Sequence, residues 1–469
     1  MEQLKKKYGL FTAICMVVGI VIGSGIFFKA QDVLNETNGD AGEGVLAWII
    51  GGIIMVVMST TFAVMATKYE KVNGIVDYAE AACGSKYAFL IGWFLSFVYY
   101  PAMTSVLAWV SARYTVVAVF GVKSIDPMAL FGPECITIAL FYLVLAYFIN
   151  TVAPKLAGKV QISTTAIKLF IIFFIAIVGT FIGLFNGTLA ENFSFVGAVD
   201  TAVGEGGGFV AALCCTAFAY EGWIIATSIN SEIKDSKKNL PLALVIGAFI
   251  IMCTYVLYYV GVLGLADTGT LMDKGTSEAF MFFGKAGATI INFLVIVSCL
   301  GTLNGLMLGC TRGIYSLSAR GEGISPRTFV QIDKQTNMPH NSAAFALLTC
   351  AIWFMYFILI GLGVFDFGVI SSYGFDSSEL PIITIYPLYI PIFIVMMIKE
   401  KDLNPFKRFV LPCISIVGVG IIVAASILKH KMANVWYLIV FAAIMIVGAL
   451  VLYLNKKKGA ASVNTEQAE

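Results

Sequence analysis

Twelve apolar runs dominate the chain, at about residues 9–33, 44–67, 88–119, 133–150, 160–185, 207–230, 241–264, 286–317, 341–363, 379–398, 407–428 and 434–454. Each is long enough to cross a hydrocarbon core of about 30 Å as a helix. Hydrocarbon offers no water to backbone N–H and C=O groups, so such runs must satisfy their own hydrogen bonds. Two runs are nevertheless interrupted. Gly19-Ile20-Val21-Ile22-Gly23-Ser24-Gly25-Ile26-Phe27 lies inside the first, and Phe218-Ala219-Tyr220-Glu221-Gly222-Trp223 inside the sixth. Backbone that unwinds at bilayer depth is tolerated only where its bared groups line a cavity and meet a ligand. Paired interruptions in matching positions of two halves therefore point to the substrate site of a transporter.

Composition agrees. Hydrophobic residues make up 59% of the chain and charged residues 12%, with a mean hydropathy of +0.89, where a soluble domain carries about 25% charge. This is an all-α polytopic membrane protein by composition, and the bilayer is its solvent. A net charge of +2 gives no reason to expect a nucleic-acid partner. Met1 to Tyr8 is short and basic and runs into apolar sequence without a small-residue cleavage site, which predicts a retained first span. Of 30 Lys and Arg residues, 22 fall on one side of the membrane if the N-terminus is cytoplasmic. Acidic residues such as Glu36, Asp40, Glu43, Asp366, Asp376 and Glu379 then lie outside, and both termini lie inside. The ten cysteines sit mostly within apolar runs and form no CxxC pair, as expected of small buried residues. With His340 and His430 alone, no cluster fit for a metal or for histidine-based catalysis is expected, and no cofactor.

Spans one to five and six to ten each begin with an interrupted helix. An odd number of spans per unit gives the two units opposite orientations, the logic of an inverted repeat with two further spans appended. The expected organisation is one transmembrane domain over 1–458, comprising a first repeat at 9–185, a second at 207–398 and two extra helices at 407–454. A disordered tail at 459–469 completes it.

At the first break, Gly23, Ser24 and Gly25 weaken the helix and let a ligand approach the backbone. The next half-helix presents free N–H groups from Ser24, Gly25 and Ile26, which suit a carboxylate. Gly19 and Gly23 also form a GxxxG, a spacing equally suited to close helix packing. At the second break, the last carbonyls of the stopped helix can accept from an ammonium. Phe218 and Trp223 either shield such a site or simply pack, while Glu221 needs water, a partner or a ligand. Lys168 lies eight residues after Val160, roughly 12 Å along a helix and thus near the midplane. It either snorkels to an interface or acts as a fixed internal cation bridging the loosened first span to Thr302 or Ser298. Arg113, nearer a span end, is expected to reach the surface.

These residues resemble those of the amino acid–polyamine–organocation superfamily, and specifically its L-type amino acid transporter branch. Residues 19–28 resemble the family's carboxylate-binding motif, and Phe218-Ala219-Tyr220 with Gly222-Trp223 its span-six motif. Ser231 to Pro241 resembles the family's loop after span six, and Leu303-Asn304-Gly305 with Arg312 to Pro326 resembles span eight and its exit. The resemblance implies a LeuT-like fold of twelve helices, a 5+5 inverted repeat with discontinuous helices 1 and 6, plus two extra helices. It implies alternating access and a substrate held by Ile22, Gly23, Ser24, Gly25, Ile26, Phe218, Ala219 and Glu221, with Phe218 as the gate. Lys168, beside Gly23 and Thr302, matches the family lysine that stands where sodium-coupled relatives hold sodium.

The resemblance thus implies sodium-independent exchange of neutral L-amino acids across a bacterial plasma membrane. Small side chains are favoured because Glu221 stands where large-substrate members have glycine. The alternatives are cationic amino acids or polyamines paired with Glu221, and proton-coupled symport through Lys168. Cys135 lies outside the usual context of the cysteine that tethers animal members, so no heavy-chain subunit is expected. Extra residues at 365–379 and prolines at 381, 387 and 391 prevent carrying over a pocket from span ten. One intramembrane Lys and one Glu, with no intramembrane histidine, argue against an enzyme, and no filter of repeated carbonyls points to a channel.

Overall fold

A computed structural model describes residues 9–23, 25–69, 74–123, 126–194, 208–224, 227, 233–362 and 374–466. The first span is two helices, α1 (Leu10–Val21) and α2 (Gly25–Glu36). Next come α3 (Ala41–Lys68), α4 (Ser85–Phe120), α5 (Pro127–Val152) and α6 (Pro154–Asn186). The second repeat opens with the short α7 (Gly208–Tyr220) and continues through α8 (Ser236–Leu265), α9 (Thr276–Ala319), α10 (His340–Gly361) and α11 (Leu380–Lys399). Two further helices, α12 (Phe406–His430) and α13 (Met432–Glu466), complete the chain. Eleven helical runs among the described residues are long and apolar enough to cross a membrane. The expected span at 207–230 stops after 13 residues as α7, so the interruption shortens it below that length. α13 continues to Glu466, into the stretch the sequence assigns to the tail. No proline lies between Lys456 and Glu466, and Ala460 and Ala461 offset the cost of Gly459.

Local chemistry sets the ends. Asp40 caps α3 by accepting from the Glu43 N–H at 2.9 Å. Pro127, Pro154 and Pro381 occupy first turns, where no N–H is missed. Gly121 closes α4 in the left-handed region at φ 67°. Pro387 and Pro391 lie inside α11 without ending it. Single π-helical turns at Leu95–Tyr99, Ile175–Gly179 and Phe357–Gly361 widen α4, α6 and α10, and the first of them aims Tyr99 at the interior.

Packing is set by small residues. With no hydrophobic force between helices in lipid, backbones must approach closely. A Cβ on Gly261 of α8 would lie 2.8 Å from the Cα of Ala176 in α6, and one on Gly264 would lie 3.3 Å from the Cα of Gly183. Gly19 of α1 and Gly23 just beyond its end pack likewise: Gly19 meets Thr165 of α6, and Gly23 meets Thr302 of α9. Close packing and the break thus use the same stretch. The core is aromatic, with Trp48 of α3 edge-on to Tyr220 and Tyr255, both at 5.7 Å between ring centroids.

Gly261→Val should therefore cost about 1–3 kcal/mol through a clash with backbone that cannot yield. Gly420→Val, where nothing lies within 4 Å, should be tolerated. Thermal unfolding of the two purified variants, followed by loss of the monodisperse peak, checks the contrast.

Candidate functional site: the paired helix breaks

α1 ends at Val21 because Ile22 turns to an extended conformation, φ −68° and ψ 100°. Its N–H still reaches the Val18 carbonyl at 2.8 Å. Gly23 bends and α2 begins at Gly25; Ser24, expected at the carboxylate site, lies outside the described residues. On the other side, α7 stops at Tyr220, with the Glu221 N–H 3.4 Å from the Phe218 carbonyl. Gly222 then takes φ +110°, a conformation that side chains resist.

The two breaks meet. A Cβ on Gly25 would lie 2.6 Å from the Cα of Ala219, and one on Gly222 would lie 3.4 Å from the Ile20 side chain. Gly25, Ile26, Ala219 and the ends of α1 and α7 thus form one buried junction. By helix geometry the first N–H groups of α2 and the last carbonyls of α7 lack intrahelical partners. The junction therefore offers donors from one break and acceptors from the other, as a zwitterion requires.

Three side chains hold it. The Tyr255 hydroxyl of α8 reaches the Val21 carbonyl at 3.0 Å and the Ala219 carbonyl at 3.1 Å, so one phenol spans both breaks. The ammonium of Lys168, wholly buried, donates to the Gly19 carbonyl at 2.8 Å and to the Thr302 hydroxyl at 3.1 Å. It does not snorkel. Glu221 is 6% exposed and accepts from the Tyr99 hydroxyl at 2.7 Å, with Tyr386 of α11 on the same carboxylate. Its Oε2 has no hydrogen-bond partner among the described residues.

Phe218 is buried, and the Lys29 ammonium stands 5.3 Å from the centre of its ring. Lys29 also lines a cavity of about 400 Å³ with Asp32, Trp109, Phe357, Phe375 and Asp376. Arg113, expected at the surface, is half-buried with its guanidinium 5.5 Å from the Trp109 ring. Glu379, which sequence places as a solvated loop charge, is 1% exposed. It accepts from Lys29 at 2.6 Å, Lys429 at 3.1 Å and the thiol of Cys214 at 3.6 Å, with His430 Nε2 at 2.9 Å. A cluster of Cys214, Glu379 and His430, with ligand atoms within 4.8 Å of one another, joins residues far apart in the chain. Sequence spacing hides it, since the partners lie 165 and 51 residues from Glu379. Tyr255 and Tyr99 give no sequence signal, because a tyrosine in an apolar span reads as bulk.

The chain is similar over 441 residues, at 27% identity, to the serine/threonine exchanger SteT of Bacillus subtilis, covering 92% of this chain and 93% of that protein. It is 26% identical over 427 residues to the mouse b(0,+)-type amino acid transporter 1, covering 84% and 81% of the two chains. It is 25% identical over 372 residues to the mouse Asc-type amino acid transporter 1, covering 76% and 66%. The amino acid permease family model matches residues 8–450, and the chain belongs to that family. It is accordingly a LeuT-like polytopic membrane transporter of amino acids.

Tyr255→Phe removes the hydroxyl placed on the Val21 and Ala219 carbonyls. Burying acceptors without a donor costs about 1–3 kcal/mol. Thermal stability of the variant should fall by that order, while Tyr453→Phe, at an exposed site, should leave it unchanged.

Proposed function

We propose that the protein exchanges neutral L-amino acids of small side chain across the plasma membrane of a bacterium, without sodium, as a single chain with both termini cytoplasmic. The observation that carries this reading is the junction itself, where the start of α2 packs directly on the end of α7 at the Gly25–Ala219 contact. In this reading Ile22, Gly23, Ser24, Gly25 and Ile26 take the carboxylate, and Phe218, Ala219 and Glu221 supply oxygens to the α-ammonium. Phe218 closes over the bound substrate, and the cavity beyond Lys29 is its approach.

Sodium independence is supported by Lys168. Its ammonium already places a positive charge against the Gly19 carbonyl and Thr302 hydroxyl, oxygens of the kind a sodium ion would take. A bound sodium there would face a like charge. The preference for small side chains is supported by Glu221, which fills space beside Tyr99 and Tyr386. The serine/threonine exchanger among the relatives fits the same reading.

A second reading rests on Glu221 Oε2, buried without a hydrogen-bond partner among the described residues. Such an oxygen favours a substrate that brings a donor, either a hydroxyl or a cationic group.

Counterflow of labelled alanine or serine into proteoliposomes, with sodium replaced by choline, tests the main reading, and uptake should be unchanged. Glu221→Gly should let leucine and phenylalanine compete where they did not before, and unchanged selectivity removes the size argument. If arginine competes strongly in the native protein and loses that ability in Glu221→Gln, the second reading replaces the first.

A further inference from the structure

The polar cluster around Glu379, which includes Lys29 beside the Phe218 ring, supplies no substrate ligand in the exchange reading. Cys214 comes from α7, Glu379 precedes the first residue of α11 and His430 ends α12. Their ligand atoms lie within 4.8 Å of one another. The Cys214 Sγ to Glu379 Oε2 distance is 3.6 Å, and Glu379 Oε2 to His430 Nε2 is 2.9 Å. Around a tetrahedral zinc ion, with sulfur at about 2.3 Å and nitrogen or oxygen at about 2.0–2.1 Å, ligand atoms stand about 3.4–3.6 Å apart. Small side-chain shifts bring the trio to that spacing.

We propose that Cys214, Glu379 and His430 form a binding site for a zinc-class divalent transition-metal ion.

The charges favour it once the lysines are counted. Lys29 pairs with Glu379 Oε1 at 2.6 Å and Asp32 at 3.0 Å, while Lys429 pairs with Glu379 at 3.1 Å and Glu36 at 3.4 Å. With a neutral thiol and imidazole, the two lysines and the carboxylates of Glu379, Asp32, Glu36 and Asp376 leave a net negative charge of two. Binding breaks the Cys214 S–H bond, forms the sulfur–metal bond and releases one proton to solvent. The divalent ion and the new thiolate together halve that excess. The imidazole carries its proton on Nδ1 and offers Nε2, and a water fills the fourth position. Lys429 yields Glu379 Oε2 and keeps Glu36. Lys29 stays on Oε1, as an outer-shell partner that fixes the carboxylate. Cys215, held by the Lys429 ammonium at 2.8 Å, stays outside the ligand set.

The test uses the full-length protein in detergent, titrated with Co²⁺ alone as the probe. The native protein and Cys215→Ser should both develop a thiolate-to-cobalt charge-transfer band, abolished by Zn²⁺. Cys214→Ser should lose the band while remaining monodisperse. His430→Gln should raise the half-saturating cobalt concentration by at least about tenfold, since even outer-shell partners are worth about 10–100-fold. No band in the native protein, or a band that survives in Cys214→Ser, overturns the assignment. The readout is spectroscopic, so it stands or falls apart from the exchange activity.

Discussion

Backbone that leaves the helix inside an apolar medium must have its polar groups satisfied from elsewhere, and the structure is organised around that requirement. Two breaks would bare many donors and acceptors if they stood apart. Instead they are pressed together at Gly25–Ala219 and Ile20–Gly222, so that one set of surrounding side chains serves both. Tyr255 reaches a carbonyl on each side, and Lys168 secures the turn of α1 just before its break. The small residues that permit this approach are the ones that loosen the helix. Replacing any of them with a larger residue would separate the breaks and leave their amides stranded.

Charge elsewhere is handled by pairing across distant parts of the chain. Glu379 sits among Lys29, Lys429 and His430 at one end of the bundle. At the other end, Lys68 meets Glu400 and Asp402, and Arg320 meets Asp77 at 3.3 Å and Glu80 at 2.8 Å. Each network ties helices of different origin: the first joins α2 to α11 and α12, and the second joins α3 to the end of α11 and the short helix Ile75–Cys83 to the end of α9. Between the networks the interior relies on hydroxyl and amide bonds, such as the Asn150–Asn304 contact at 2.9 Å between α5 and α9.

Much of the fold is legible because the bilayer imposes a simple code. Apolar length locates the helices, and Gly-Ser-Gly and Glu-Gly locate the interruptions. Lys168 stands out because a lone cation in an apolar run has so few ways to be satisfied. Its hydroxyl partner is narrowed to Thr302 or Ser298 of span eight, and the structure places the ammonium on Thr302. Sequence does not show which residues become neighbours. Glu379, Lys29 and His430 each sit at a span end, where a solvated charge is the default, and only the folded chain buries them together. Tyr99 owes its reach to Glu221 to a π-helical turn that no residue pattern in Leu95–Tyr99 announces.

The phenol of Tyr255 owns a single hydrogen, yet two oxygens stand at nearly equal range from it. Whichever carbonyl it favours, the other loses this donor, and the proton can swing between them at little cost. The centre of the molecule is therefore built on an open contest rather than a locked bond. A visiting ammonium that takes up the slighted oxygen would settle that contest, and in doing so stiffen the ends of α1 and α7 together.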